Sequence, residues 1–143
     1  MAQESELYRG LAGFRYALRR FLAASETITR DGGVTPQQYQ AMLAIRARPE
    51  QSLTMKDLAE QLLLTHHAAV QLVDRLEKAG LAERKRSVED RRSVHISLTA
   101  KGEVQLDELA VKHLGAMLRD EPLLTESLQR LRRMGDEPTS PQG

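Results

Sequence analysis

Apolar residues recur at spacings of three and four from the start of the chain: Leu7, Leu11, Phe14, Leu18, Phe21, Leu22 and Ile28. That spacing keeps one stripe of a helix apolar and predicts a helix over roughly Ser5 to Thr29. Such a helix is long against the average of about 11–12 residues. Its stripe can serve the chain's own core or a second copy, and periodicity alone leaves both open. Asp31-Gly32-Gly33 breaks the pattern, because two adjacent glycines lose backbone entropy and permit left-handed turns. Thr35-Pro36 restarts it, with a hydroxyl to cap the helix and proline at its first position. Tyr39, Met42, Leu43 and Ile45 form the expected buried side of this second helix, and Pro49 follows its end.

Thr54 and Asp57 open a third helix in a capping-box-like arrangement, with Leu58, Ala59, Leu62 and Leu63 expected inward. Thr65 caps a fourth, which ends near Ala79-Gly80 with Gly80 as the residue past its end. Ala69, Leu72, Val73 and Leu76 are its buried stripe. His67, Gln71, Asp74, Arg75 and Lys78 lie opposite, with His66 in the first turn. Beyond Gly80 the period changes to two: Val94, Ile96 and Leu98 alternate with Ser93, His95 and Ser97, predicting a hairpin from about Leu81 to Leu98. Helix, turn, helix and hairpin in that order make a winged helix-turn-helix. A long helix then opens at Thr99–Gly102 and runs to about Arg119. Its two stripes, Leu106, Leu109, Ala110, His113, Met117 and Val104, Val111, Leu114, Leu118, imply contact on two sides. Glu121-Pro122 begins a last helix with Leu124, Leu128, Leu131 and Met134 inward, and the polar GDEPTSPQG is expected to be a disordered tail. The expected fold class is mainly α with a small β-hairpin wing (α+β). The expected organisation is residues 35–102 as the winged region, a candidate for DNA binding, 1–34 and 103–134 as helices available for dimerisation, and 135–143 as the tail.

Composition adds a location for charge. The chain has 143 residues, 41% hydrophobic and 29% charged, which suits one soluble domain with a real core. The net charge is +1, yet residues 65–101 hold eight Lys/Arg against five Asp/Glu, and residues 102–143 five against eight. Residues 84–92 alone carry five basic and two acidic side chains. Their mutual repulsion is relieved by a phosphate backbone, so DNA contact is expected from the middle of the chain. Asp90 beside Arg91 and Arg92 reads as a brace that fixes one guanidinium. Gln71 can pair bidentately with adenine, and His66 and His67 can meet base edges. Arg75, Lys78, Arg84, Lys85 and Arg86 are expected on phosphates, with Arg75 also able to pair with Asp74 or Glu77.

Other chemistry finds little support. With no cysteine there is no disulfide, thiolate ligand or thiol to oxidise. The sequence shows no apolar run of about 18 residues and no signal-peptide core in MAQESELYRG, so the expectation is a cytoplasmic protein without a membrane partner. No Gly-rich phosphate loop, nucleophile elbow or HExxH occurs, so no enzyme, cofactor or metal is expected. Adjacent His66 and His67 diverge on a helix. A metal-responsive regulator using His113 with acidic neighbours, or a winged protein-interaction module, are the alternatives. The latter explains two-sided helices but not a basic hairpin.

The residues LAEQL followed by Thr65, LVDRLEKAGL at 72–81, EDRR at 89–92 and VHISLTAKG at 94–102 resemble the MarR family of transcriptional regulators. The flanking helices fit too, so the likeness spans nearly the whole chain. The resemblance implies a homodimer with interleaved terminal helices, bound to double-stranded DNA at a pseudopalindromic operator, often repressing a neighbouring gene and often released by a small aromatic or acidic effector. By position it places Thr65, His66, His67, Ala68 and Gln71 at the major groove and Arg91 or Arg92 in the minor groove. An effector site is expected where the dimer helices meet the winged unit, with Arg15, Tyr16, Tyr39 and His113 as lining. Two departures stand out: Leu63 where the family's turn often has glycine, and Ser87-Val88 where Asp-Pro is frequent. The first is expected to strain or reshape the turn.

Overall fold

A computed structural model describes residues 2–87, 89 and 93–136. Five helices and three strands follow one another: α1 (Ala2–Asp31), α2 (Pro36–Ala47), β1 (Ser52–Thr54), α3 (Met55–Leu62), α4 (His66–Lys78), β2 (Ala82–Arg86), β3 (Val94–Leu98) and α5 (Ala100–Asp136). Two compact units result, Ile28–Val111 and a second made of Met1–Thr27 with Lys112–Gly143.

The first unit is a winged helix-turn-helix, mostly helical with a small antiparallel sheet. The sheet has a strand that the period-two pattern missed. The three-residue β1 pairs with β3 and gives the order β1-β3-β2, with Leu53 opposite Ile96 and Arg84 on the other side of Ile96. Its core gathers Met42, Ile45, Leu53, Leu58, Leu72, Val73, Leu76, Ile96, Leu106 and Leu109. α2 starts as its sequence requires. Thr35 accepts from the Gln38 amide, and the Gln38 side chain accepts from the Thr35 amide, which satisfies two donors that the first turn leaves open. Ala41 takes the buried place expected of Leu43, which is exposed. At α3 only half of the expected box forms. Thr54 accepts from the Asp57 amide at 3.2 Å, while the Asp57 carboxylate turns to Arg48 at 3.8 Å. Tyr39 is buried in this core, and burial pushes its phenol above the ordinary value.

The second unit packs the first part of α1 against the last part of α5. The buried face of α1 runs through Gly10, Ala17 and Ser25 and not through the leucines. Leu7, Leu11, Leu18 and Leu22 are exposed, as are Leu114, Met117, Leu118 and Leu128 of α5. Small residues win the contact because they let two helix backbones approach closely. Arg20 pairs with Asp120 at 2.9 Å, and Arg130 with Glu6 at 3.4 Å. The break expected before Pro122 is absent, since α5 is one helix through it. Proline removes a single backbone bond, to the carbonyl of Leu118. The Asp120 ion pair and the buried Ala116 and Ser127 hold the turns on either side.

Candidate nucleic-acid interface

The Thr65 hydroxyl starts α4 by accepting from the Ala68 amide at 3.1 Å. The helical period then buries Ala69, Leu72, Val73 and Leu76, and leaves His66, His67, Gln71, Asp74, Arg75 and Lys78 exposed. Ala68 is half-buried. The exposed face therefore carries amide, imidazole and cationic groups and no bulky apolar side chain. Such a face can donate and accept along a row of base edges.

Both helices of the motif close in the same way. In α4, Leu81 donates to the Leu76 carbonyl at 2.9 Å and Gly80 adopts φ 74°. In α3, Leu64 donates to the Ala59 carbonyl at 2.9 Å, and Leu63 takes the left-handed place at φ 54°, ψ 42°. Glycine is at ease there, whereas a residue with Cβ gives up about 1–2 kcal/mol. Leu63 was expected inward, but its side chain is 93% exposed. A left-handed residue swings its Cβ away from the stripe that a continued helix would have followed.

The end of α4 is latched to the start of α5. The Thr99 hydroxyl donates to the Gly80 carbonyl at 2.6 Å and accepts from the Gly102 amide at 3.0 Å. Lys101 donates to the Ala79 carbonyl at 3.1 Å, placing a cation at the negative end of the α4 dipole. A Cβ on Gly102 would collide with the Leu81 carbonyl oxygen, so this approach needs glycine. LTAKG thus has a mechanical meaning that its place after a strand did not reveal.

The flank of α4 is clamped by the hairpin. Arg84 on β2 donates to Asp74 at 2.8 Å and to Glu77 at 2.5 Å. Partial burial works against its charge, but both carboxylates outweigh it and the guanidinium pKa is raised. Arg84 was expected on phosphate; here it is paired with two carboxylates of α4. Asp74 and Glu77, the partners open to Arg75, are engaged by it. Arg75 and Lys78 remain on the exposed face, and Arg86 is exposed on the hairpin. Lys85 is exposed and pairs with Glu83 at 3.0 Å. Ser87 extends the hairpin by donating to the Ser93 carbonyl at 3.0 Å. Asp90, Arg91 and Arg92 lie outside the described residues.

The four residues expected around an effector belong to different units. Tyr39 is in the core of the winged unit, and Arg15, Tyr16 and His113 are in the helical one. His113 is buried, shares a hydrogen bond of 2.8 Å with the Ser25 hydroxyl and meets the Phe21 ring edge-on. Tyr16 is half-exposed beneath Arg20. An apolar hollow of about 330 Å³ in this unit is lined by Ala17, Leu18, Phe21, Leu114, Met117, Leu118 and Leu124, with Asp120 and Glu121 at its polar side. Arg15, Tyr16 and His113 are not in its wall. Among the described residues, no three His, Asp or Glu side chains meet so as to hold a metal ion, and no helix is long and apolar enough to cross a membrane.

Comparison with known proteins gives a consistent result. A sequence profile of the MarR family matches residues 32–93. The organic hydroperoxide resistance transcriptional regulator of Bacillus subtilis (strain 168) is 39% identical over 99 residues, covering 69% of this chain and 65% of that protein. The HTH-type transcriptional regulator YkoM of the same organism is 30% identical over 113 residues, covering 77% of this chain and 72% of YkoM. Among solved structures, NadR in complex with 4-hydroxyphenylacetate superposes with a TM-score of 0.67 at 26% identity, over 88% of this chain and 89% of NadR.

Proposed function

The chain belongs to the MarR family of transcriptional regulators, and from that premise we propose that it is a homodimeric repressor of a pseudopalindromic operator, released by a small ligand. Its family and relatives are regulators and not enzymes. The observation that carries the DNA-binding part is the outward face of α4. His67, Gln71, Arg75 and Lys78 are exposed in one row, with His66 exposed in the first turn, on a helix fixed at its start by Thr65, on its flank by Arg84 and at its end by Thr99. In this reading Thr65, His66, His67, Ala68 and Gln71 enter the major groove, with Gln71 on adenine. Lys78, Arg75, Lys85 and Arg86 neutralise phosphates, and Arg91 or Arg92, braced by Asp90, enters the minor groove. Arg84 orients α4 against the hairpin and leaves phosphate to its neighbours.

The dimer is supported by apolar surface that the chain itself does not cover. Val104, Val111, Leu114 and Leu118 form one stripe of α5, each more than half exposed, and Leu7, Leu11, Leu18 and Leu22 are exposed on α1. A stripe of this length is buried by a second copy at low cost, because the same residues recur on the partner. Residues 1–34 and 103–134 thus serve dimerisation and 35–102 DNA. The ligand class follows the aromatic acid in the NadR complex, with Arg15, Tyr16, Tyr39 and His113 as the first residues to test.

Gel shifts on genomic fragments at two salt concentrations test this reading. Binding is expected at low salt and should fall steeply at the higher one, by about 10³-fold or more between 50 and 200 mM for six or more phosphate contacts. Binding that is absent, or insensitive to salt, contradicts it.

A further inference from the structure

Leu63 is strained and solvent-facing at once. Its backbone is left-handed at φ 54°, and its side chain is 93% exposed, the highest value among the exposed large apolar residues described. The left-handed backbone closes α3, but that turn has no need of an exposed apolar side chain. Gly80 closes α4 through the same turn without a side chain. A residue kept in a costly conformation with its apolar group in water points to a use outside the chain.

Its position says where. Leu63 lies two residues before the cap Thr65, so its Cα is within about 7.6 Å of the Thr65 Cα, two trans peptides away. It is fixed there by the Leu64 to Ala59 hydrogen bond at 2.9 Å. Leu63 therefore stands beside the first turn of α4 with its side chain in solvent. The inference rests on the reading above, in which that first turn enters the major groove. There the one apolar group displayed by a base is the C5-methyl of thymine. His66, His67 and Gln71 are suited to hydrogen-bonding edges, Thr65 and Ala68 offer one methyl each, and Leu63 is the large exposed apolar side chain beside them. A branched side chain that carries no charge is ill suited to phosphate. We infer that Leu63 is a specificity residue that reads a thymine methyl at the edge of each half-site.

The test uses the full-length protein on a selected operator in which each thymine is replaced in turn by deoxyuridine, which keeps the base pair and deletes the methyl. With the natural protein, one position per half-site should lose about fourfold in affinity, the worth of one buried methyl. With Leu63→Gly that sensitivity should vanish at that position alone, and Leu63→Ala should reduce it. Leu63→Gly should at the same time unfold at a higher temperature, because glycine relieves the turn, so a damaged fold cannot explain the loss. An unchanged deoxyuridine pattern in Leu63→Gly overturns the assignment. So does a uniform loss on thymine and deoxyuridine duplexes alike, which would mean packing on the sugar edge. If the natural protein shows no salt-dependent binding to any duplex, the DNA-binding reading falls and the contact with it. That outcome is distinct from a binder whose pattern does not depend on Leu63.

Discussion

The Thr99 hydroxyl donates to the Gly80 carbonyl at 2.6 Å while accepting the Gly102 amide at 3.0 Å. One oxygen therefore joins the last turn of α4 to the first turn of α5. The Lys101 to Ala79 bond beside it joins the same two turns. Thr99→Val keeps the shape and removes the hydroxyl. It is expected to lower stability in urea melts by about 0.5–1.5 kcal/mol, the net worth of one such bond. Thr99→Ser should restore most of the loss. An unchanged midpoint in Thr99→Val would show that water replaces the latch without cost.

Arg84 and Lys78 are both cations beside the proposed DNA surface, but their partners differ. Arg84 is held by Asp74 and Glu77, whereas Lys78 is exposed. Lys78→Ala should reduce the slope of log affinity against log salt by about 0.9, as for one phosphate contact. Arg84→Ala should change the slope by less. It should also destabilise the fold by about 1 kcal/mol, the upper range for partly exposed ion pairs. Equal slope changes in the two variants would put Arg84 back on phosphate.

Leu118 is 62% exposed at the end of the uncovered α5 stripe. Leu118→Glu places a charge where the proposed dimer buries a side chain, and an unpaired buried carboxylate is strongly disfavoured. Light scattering should report a two-chain mass for the natural protein and a one-chain mass for the variant. Operator affinity should fall with it. A variant that stays at the two-chain mass would move the dimer contact elsewhere.

Burial raises the Tyr39 phenol pKa above its ordinary value near 10. The folded state thus holds this proton more tightly than the unfolded state. Its contribution to stability is complete below the unfolded value and is lost as pH rises through the folded one. Tyr39→Phe should flatten the decline in stability above about pH 10 relative to the natural protein. Parallel declines in the two proteins would assign the alkaline loss to other groups.

The helix-turn-helix was legible because its signals are local. Thr35, Thr54 and Thr65 each stand one residue before a helix and accept the amide three residues on. Ala69, Leu72, Val73 and Leu76 were found by period alone and are all buried. What escaped was set by partners distant in sequence or by backbone conformation. In α1, periodicity located the leucine stripe, but the face buried within the chain is the small one through Gly10, Ala17 and Ser25. Arg84 looked like one of five solvent cations, yet it sits beside Ile96 on the sheet's inward face, within reach of α4. Leu63 was placed inward because it is apolar, and the left-handed turn carries it out. Pro122 marked a helix end by type, while the packing around it kept α5 whole. Of the candidate interface, the exposed face of α4 was legible in full, and the clamps that hold it were not.

The most direct test of the central claim is selection of binding sites by the purified protein from random duplex DNA. The expected product is a two-fold symmetric consensus with half-sites centred one helical turn apart, about 34–36 Å or 10–10.5 base pairs. An A·T preference within each half should relax in Gln71→Ala. A pool without enrichment, or a single unrepeated half-site, would contradict a homodimer that reads DNA through α4.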